Sequence, residues 1–327
     1  MACPAASAMM PAMTTPPPSL DTLRGALLGL ALGDTLGAPH EGGWLARGLW
    51  LALGRTPQGL RRFTDDTQMS LDVAESLLAC SGLDQDDLAR RFAASYQWRR
   101  GYGPGAARLL RRIRAGMPWQ QANRSVYAQG SWGNGAAMRA AVLALWPYAT
   151  LAEVQHAARQ QAEITHAHPQ GMAGAVLMAV ATRALMTPQA DAAQVLAAVL
   201  AHVNEPAFVP ALQQAVQWLE RQRTQGDAPD ARAVAHTLGN GITARSSCVT
   251  ALYLALRHLE QDFDALMRFA IACGGDVDTI AAMAGALWGA HRGGAALPAL
   301  ALEQQARLEG VAAQLHARWP QAESARA

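Results

Sequence analysis

Two groups of acidic and hydroxyl side chains, Thr64-Asp65-Asp66-Thr67 and Asp276-Val277-Asp278-Thr279, each open an apolar periodic run. Oxygens in that position can cap a helix, accepting its first free N–H groups while their charge suits the helix dipole. A cap needs one side chain, however, and each group offers two carboxylates with hydroxyls beside them. Carboxylates crowded at one helix end repel each other unless a cation lies between them. Carboxylate and hydroxyl oxygens without neighbouring Cys or paired His favour a hard ion, Mg²⁺, Mn²⁺ or Ca²⁺, over zinc. If the groups meet in space, Asp65, Asp66, Asp276 and Asp278 carry enough negative charge for two divalent ions. Roughly 210 residues separate Asp66 from Asp276, so the meeting is an expectation about the fold.

Other segments hold further chemistry. In Gly33-Asp34-Thr35-Leu36-Gly37-Ala38-Pro39-His40-Glu41 the glycines ease the end of a helix, Pro39 stops it, and Glu41 falls on a loop. Asp34 is a solvated or hydrogen-bonded polar residue. Glu41 is either a mobile carboxylate or an ordinary surface glutamate. Gly130-Ser131-Trp132-Gly133-Asn134-Gly135 leads into the apolar run Ala136 to Leu145. Glycines before a helix let backbone N–H groups approach a phosphate, and Trp132 offers a face for a base; the plain alternative is a tight turn with a core tryptophan. Gly239-Asn240-Gly241 carries the same ambiguity, and Tyr102 in Gly101-Tyr102-Gly103-Pro104-Gly105 either lines a pocket or packs. His166 and His168, at i and i+2, do not share a helix face, which argues against a metal pair. His166 is a pocket residue or a helix cap. Arginines at 90, 91, 99, 100, 108, 111, 112 and 114 lack interleaved aromatics and read as a solvated helix face.

The elements that position these residues are helical almost throughout. Cys248, Val249, Leu252, Ala255, Leu256 and Leu259 recur at three and four, as do Met172, Ala175, Val176, Ala179 and Val180. No window shows sustained strand alternation. Breaks at 33–43, 101–105, 130–135, 204–210, 226–229, 239–241 and 274–275 divide the chain into helices of ordinary length, and none is long enough for an interdomain linker. An all-α bundle follows: one domain over 19–320, a disordered tail at 1–18 and a flexible end at 321–327. The chain has 327 residues, 51% hydrophobic and 16% charged, which excludes disorder, while Gly, Asp and Arg interrupt any membrane span. A net charge of +2 supplies no global field for nucleic acid or anionic lipid. Cys3, Cys80, Cys248 and Cys273 show no CxxC spacing, and the first basic residue is Arg24, so neither a disulfide framework nor a secretory signal is expected. A reducing, cytoplasmic setting fits.

Taken in order, Gly33-Asp34-(x)₂-Gly37-(x)₃-Glu41, Thr64-Asp65-Asp66-Thr67, Gly133-Asn134-Gly135-(x)₂-Met138-Arg139, Thr165-His166 and Gly274-Gly275-Asp276-(x)-Asp278-Thr279-Ile280-Ala281 resemble the ADP-ribosylglycohydrolase family over about Leu23 to His291. The stretches at 100–105, 130–135 and 238–257 resemble its serine-linked and poly(ADP-ribose) branch. The resemblance implies a compact orthogonal helical bundle with two Mg²⁺ ions in a central cleft, Mn²⁺ being the alternative ion. It implies metal ligation by Thr64, Asp65, Asp66, Asp276, Asp278 and Thr279, with Glu41 and Asp66 catalytic and Asp34 supporting the site. Gly133, Asn134 and Gly135 would hold diphosphate, His166 would lie beside the distal ribose, and Gly130, Ser131, Trp132, Tyr127 and Tyr102 would complete the ADP-ribose site. The implied substrate is an ADP-ribosylated protein, poly(ADP-ribose) or O-acetyl-ADP-ribose, handled by a monomer without nucleic acid or membrane partners. Two alternatives are an arginine-linked ADP-ribosylhydrolase, protecting against an ADP-ribosylating toxin, and a non-catalytic ADP-ribose-binding module. Intact Glu41 and both acidic groups weigh against the second. His168-Pro169 and Val142 depart from the branch pattern and bear on substrate preference.

Overall fold

The computed structural model describes residues 17–42, 47–48, 50 and 53–320. Apart from Pro17 and Pro18, the expected tails at 1–18 and 321–327 lie outside the described residues. In chain order the α-helices are α1 (Leu20–Gly37), α2 (Asp65–Cys80), α3 (Gln85–Ser95), α4 (Pro104–Arg114), α5 (Trp119–Val126), α6 (Leu151–Glu163) and α7 (Pro169–Leu185). They continue as α8 (Ala192–His202), α9 (Val209–Gln225), α10 (Ala231–Thr237), α11 (Ala244–Arg257), α12 (Phe263–Cys273), α13 (Val277–Arg292) and α14 (Gln305–His316). Among the described residues there is no strand, only isolated bridges such as Gly133 with Thr243 and Arg61 with Leu302. The all-α expectation holds.

The centre of the molecule is the antiparallel pair α1 and α13. Gly25, Gly29, Gly33 and Gly37 recur every fourth residue along one face of α1, where consecutive fours lie above each other. That bare ridge lets the backbones touch. A Cβ at Gly25, Gly29 or Gly33 would collide with the carbonyl oxygen of Gly289, Gly285 or Ala281, and one at Gly37 would stand 2.6 Å from Asp278 Cα. The expected break at Gly33 is therefore absent: α1 runs unbroken through Gly33 to Gly37, because these glycines serve close approach rather than helix termination. The consequence for the site is direct, since the last turn of α1 meets the first turn of α13.

Helices α7 and α11 flank this pair and are buried nearly all round, so their apolar content exceeds the single stripe of a surface helix. Trp288 of α13 is sealed in the core, where its ring meets Phe263 edge-on at 5.3 Å and its Nε1 donates to His258 O at 3.0 Å. The run from Ala136 to Leu145 differs from a regular helix. It forms turns and then a 3₁₀ helix over Ala140–Leu145, completely buried, whose tighter winding fits the chain between α2, α6 and α7. Gly133-Asn134-Gly135 therefore does not run directly into an α-helix; the helix N-terminus beside it is that of α11, where Ala244 N donates to Trp132 O at 3.0 Å.

Candidate active site

Asp34, on the last turn of α1, is fully buried and organises the start of α2. Its carboxylate accepts from Thr64 N at 3.0 Å, Thr67 N at 3.1 Å and Thr67 Oγ1 at 2.5 Å. Thr64 is the N-cap of α2: its Oγ1 accepts from Asp66 N at 3.3 Å and donates to Asp66 Oδ2 at 2.9 Å. One hydroxyl thus does the capping, and neither Asp65 nor Asp66 is needed for it. The preceding residue, Phe63, is clamped from the far end of the chain. Glu303 accepts from Phe63 N at 2.9 Å and pairs with Arg100, which donates to Phe63 O at 2.6 Å and lies 4.2 Å from the centre of the Phe63 ring.

The second acidic group is likewise free of capping duty. Asp276 occupies the N-cap position of α13 yet makes no side-chain cap bond; its Oδ2 accepts from Asn134 Nδ2 at 2.5 Å. Asn134 also reaches Ser247 Oγ at 3.0 Å, which fixes its amide. The turn before Asp276 needs its glycines, because Gly274 and Gly275 sit at φ 66° and 78°, and a side chain at Gly275 would strike Asn240. Asn240 in turn accepts from Asp276 N at 2.8 Å and donates to Cys273 O at 2.8 Å. Asp278 Oδ1 accepts from Thr279 N at 2.8 Å. Glu41, just past the 3₁₀ turn Ala38–His40, places an oxygen within 4.8 Å of carboxylate oxygens of Asp276 and Asp278.

Burial raises every carboxyl involved, and neighbouring negative charge adds to it at Glu41, Asp65, Asp66 and Asp278. Burial pushes Asp34 up to about 6 against its hydrogen bonds, and pushes Asp65 up to about 8 with help from the negative charges of Asp34, Glu41 and Asp276. Asp66 and Asp278 rise well above the usual carboxylate range, first through burial and then through nearby negative charge, led by Asp34 for Asp66 and by Asp66 for Asp278. Glu41 and Asp276 rise for the same leading reason. Among the described residues Asp66 Oδ1 is buried with no hydrogen-bond partner. A carboxylate oxygen shut away from water without a partner is costly. A divalent cation would supply that partner and relieve the mutual repulsion, so this all-oxygen donor set fits a hard metal ion.

One cleft of about 270 Å³ gathers Glu41, Asp65, Asp66, Asp276, Asp278 and Thr279 together with Ser131, Gly133, Asn134, Gly135, Thr165 and His166. Thr64 and Asp34 stand behind this wall rather than on it. A second cavity shares Tyr127, Ser131, Gly133 and Ile242 with the first and adds Gly130, Trp132 and His168. Trp132 is 57% exposed and meets the His168 ring edge-on at 5.8 Å; Tyr127 is 47% exposed. Both are therefore surface aromatics. Tyr102 is placed elsewhere, buried edge-on against Tyr96 at 4.9 Å, while its neighbours Gly101 and Gly103 line the cleft. The glycine loop uses part of its own backbone: Gly133 N donates to Ser131 Oγ at 3.2 Å and Asn134 N to Ile242 O at 3.0 Å. The two histidines divide the roles that spacing left open. His168 caps α7, accepting from Gln170 N, and His166 is the buried cleft residue.

Several supporting residues carry little signal in the sequence. Asn134 was visible inside a glycine turn, but its bond to Asp276 spans 142 residues. Glu303 has no local pattern at all, since its partners stand 203 and 240 residues away. Gln161 is a fully buried amide on an amphipathic helix, a mismatch that could have marked it.

Comparison with known proteins agrees with this geometry. The profile of the ADP-ribosylglycohydrolase family matches residues 15–325. "ADP-ribosylhydrolase ARH3" of Bos taurus is 34% identical, covering 84% of this chain and 86% of that protein, and its Homo sapiens counterpart is 33% identical over the same shares. The "ADP-ribosyl-[dinitrogen reductase] glycohydrolase" of Rhodospirillum rubrum is 35% identical over 47% of this chain and 54% of its own. A solved structure titled "ADP-ribosylglycohydrolase-related protein complex" superposes with a TM-score of 0.66 at 29% identity, covering 91% of this chain and 98% of that one. With the family profile spanning almost the whole chain and the same helical fold around the acidic cleft, this protein belongs to the ADP-ribosylglycohydrolase family.

Proposed function

We propose that the protein is a divalent-cation-dependent hydrolase that removes ADP-ribosyl groups by cleaving the bond at the anomeric carbon of the distal ribose. The observation that carries this is the cleft itself, whose lining joins Glu41 and both acidic groups to the glycine loop and His166. Asp65, Asp66, Asp276, Asp278 and Thr279 on the cleft wall would hold Mg²⁺, with Mn²⁺ as the alternative and with Thr64 completing the set from behind Asp66, and a bound cation would supply a fixed anchor for sugar hydroxyls. The protein's own groups do the rest. Carboxylates ringing the anomeric carbon stabilise the positive charge that builds as the leaving group departs. Glu41, whose carboxyl is raised above its usual range by burial and by Asp276, exchanges the reacting proton. Asp34 positions Thr64 and Thr67 and so the first turn of α2. Ser131 and the glycine loop line the path of the diphosphate, and Tyr127, Trp132 and Ile242 offer apolar faces for the adenine.

Serine-linked ADP-ribose and poly(ADP-ribose) are the proposed substrates, supported by identity to the ARH3 relatives over most of the chain. The test is release of free ADP-ribose from matched serine-linked and arginine-linked peptides, with Mg²⁺ and with a chelator. Release from the serine peptide in Mg²⁺ alone is expected. Release only from the arginine peptide would overturn the linkage, and no release from either would overturn the activity.

A further inference from the structure

Beneath the glycine loop one buried guanidinium organises the ring that faces the cleft. Arg139 is 1% exposed and lies 4.4 Å from the centre of the Phe92 ring. Its Nε donates to Gln161 Oε1, its Nη1 to Gly135 O and its Nη2 to Thr165 Oγ1, each at 2.8 Å. Gln161 is held in that orientation because its own Nε2 donates to Ala136 O at 2.9 Å. A guanidinium can only donate, so Thr165 Oγ1 accepts from Arg139. The hydroxyl proton of Thr165 then goes to its other neighbour, His166 Nδ1, at 2.7 Å. The reverse arrangement, with the proton on Nδ1, would leave a buried hydroxyl hydrogen facing no acceptor. An accepting Nδ1 on a neutral ring puts the single imidazole proton on Nε2. Burial, followed by the charge of Arg139, keeps the ring neutral by pushing it down to about 3. Nε2 is also the ring atom nearest the Cβ position of Gly133, at 3.3 Å, and so lies on the loop side of the cleft.

We propose that Arg139 and Thr165 form a relay that locks His166 as a neutral Nε2–H donor, which holds an oxygen of the ligand and takes no part in proton transfer. Arg139 and Thr165 are positioning residues. The same guanidinium grips Gly135 O, so the donor ring and the glycine loop are registered by one group. The inference rests on the proposed function only for the identity of the ligand, ADP-ribose; the tautomer follows from the hydrogen bonds alone.

The first measurement is ¹⁵N NMR of histidine-labelled wild-type protein from about pH 5 to 8, with the His166 signal assigned by its loss in His166→Gln. A ring protonated on Nε2, bare on Nδ1 and unchanged across that range is expected. A ring protonated on Nδ1, or one that titrates, would overturn the relay. Thr165→Val keeps the shape and removes the hydroxyl; it should mix the tautomers and weaken binding of free ADP-ribose about tenfold, while Thr165→Ser restores it to within about twofold. Mg²⁺ affinity should stay unchanged in both. Wild-type ADP-ribose affinity in Thr165→Val would also overturn the proposal. Should wild-type protein show the Nε2–H ring yet fail to bind ADP-ribose, the relay stands and the ligand assignment falls.

Discussion

Glu41 shows how a single carboxyl gains a role from its surroundings. It sits on a loop and packs into no core stripe, yet its oxygen reaches those of Asp276 and Asp278. Glu41→Gln preserves shape and removes the ability to exchange a proton. Turnover should fall by roughly two orders of magnitude or more while ADP-ribose affinity stays within about tenfold, as for loss of general acid–base catalysis. Single-turnover kinetics beside calorimetric titration checks both halves, and near wild-type turnover in saturating Mg²⁺ would remove Glu41 from the mechanism. Trp132 poses a different residue-scale question, core or contact. At 57% exposed it contributes little to folding. Trp132→Ala should therefore weaken ADP-ribose binding by about 1 to 3 kcal/mol, the range for stacking a base on an aromatic ring, with the denaturant midpoint nearly unchanged. A large stability loss with normal binding by the folded fraction would place its role in packing instead.

At the scale of elements, the site depends on how closely α1 lies on α13. Gly33→Ala would press a methyl group into the Ala281 carbonyl, and separating the helices carries the Asp34 end of α1 away from Asp278. The expected loss is about 1 to 3 kcal/mol of stability, typical of overpacking, together with weaker Mg²⁺ binding by calorimetry. Gly310→Ala in α14 is the matched control: an added Cβ there meets nothing, so it should stabilise by about 0.5 to 1 kcal/mol, as alanine does in a helix. Equal behaviour of the two variants would discredit the close-approach account. The glycines also mark how far the elements were legible in the sequence. Helix periodicity located α7 and α11 well, and the two acidic groups stood at the starts of α2 and α13, although only Thr64 caps its helix through a side chain. The fourfold spacing of Gly25, Gly29, Gly33 and Gly37 was in plain view, but a helix terminator and a bare helix face look alike until the partner helix is known. The Asn134 to Asp276 bond and the Glu303 clamp were beyond reach for the same reason: each pairs residues that only the folded chain brings together.

For the whole molecule, an acidic cleft built inside an apolar bundle ties stability to pH and metal. A carboxyl raised by folding holds its proton more tightly in the folded than in the unfolded chain. Its contribution is therefore greatest below the unfolded value, near 4, and is lost as pH climbs through the folded value. With Asp34 at about 6 and Asp65 at about 8, the chelated protein should lose melting temperature steadily from about pH 4 to pH 8. Saturating Mg²⁺ should flatten that slope and raise the melting temperature most at the alkaline end, because it binds the ionised carboxylates of the native state. Parallel pH series in chelator and in Mg²⁺, followed by calorimetric melting, provide the check; a chelated protein as stable at pH 8 as at pH 5 would contradict the raised carboxyls of Asp34 and Asp65. The pairing of α1 with α13 also sets a schedule for synthesis. A ribosome releases α1 early, but the helix that its glycine face must touch emerges roughly 240 residues later. At about 5 to 20 residues per second that interval is on the order of 10 to 50 s. Throughout it α1 has α2 to pack on but its glycine face stays uncovered and the second acidic group is missing, so a polypeptide ending before α13 should expose that face and fail to assemble the cleft.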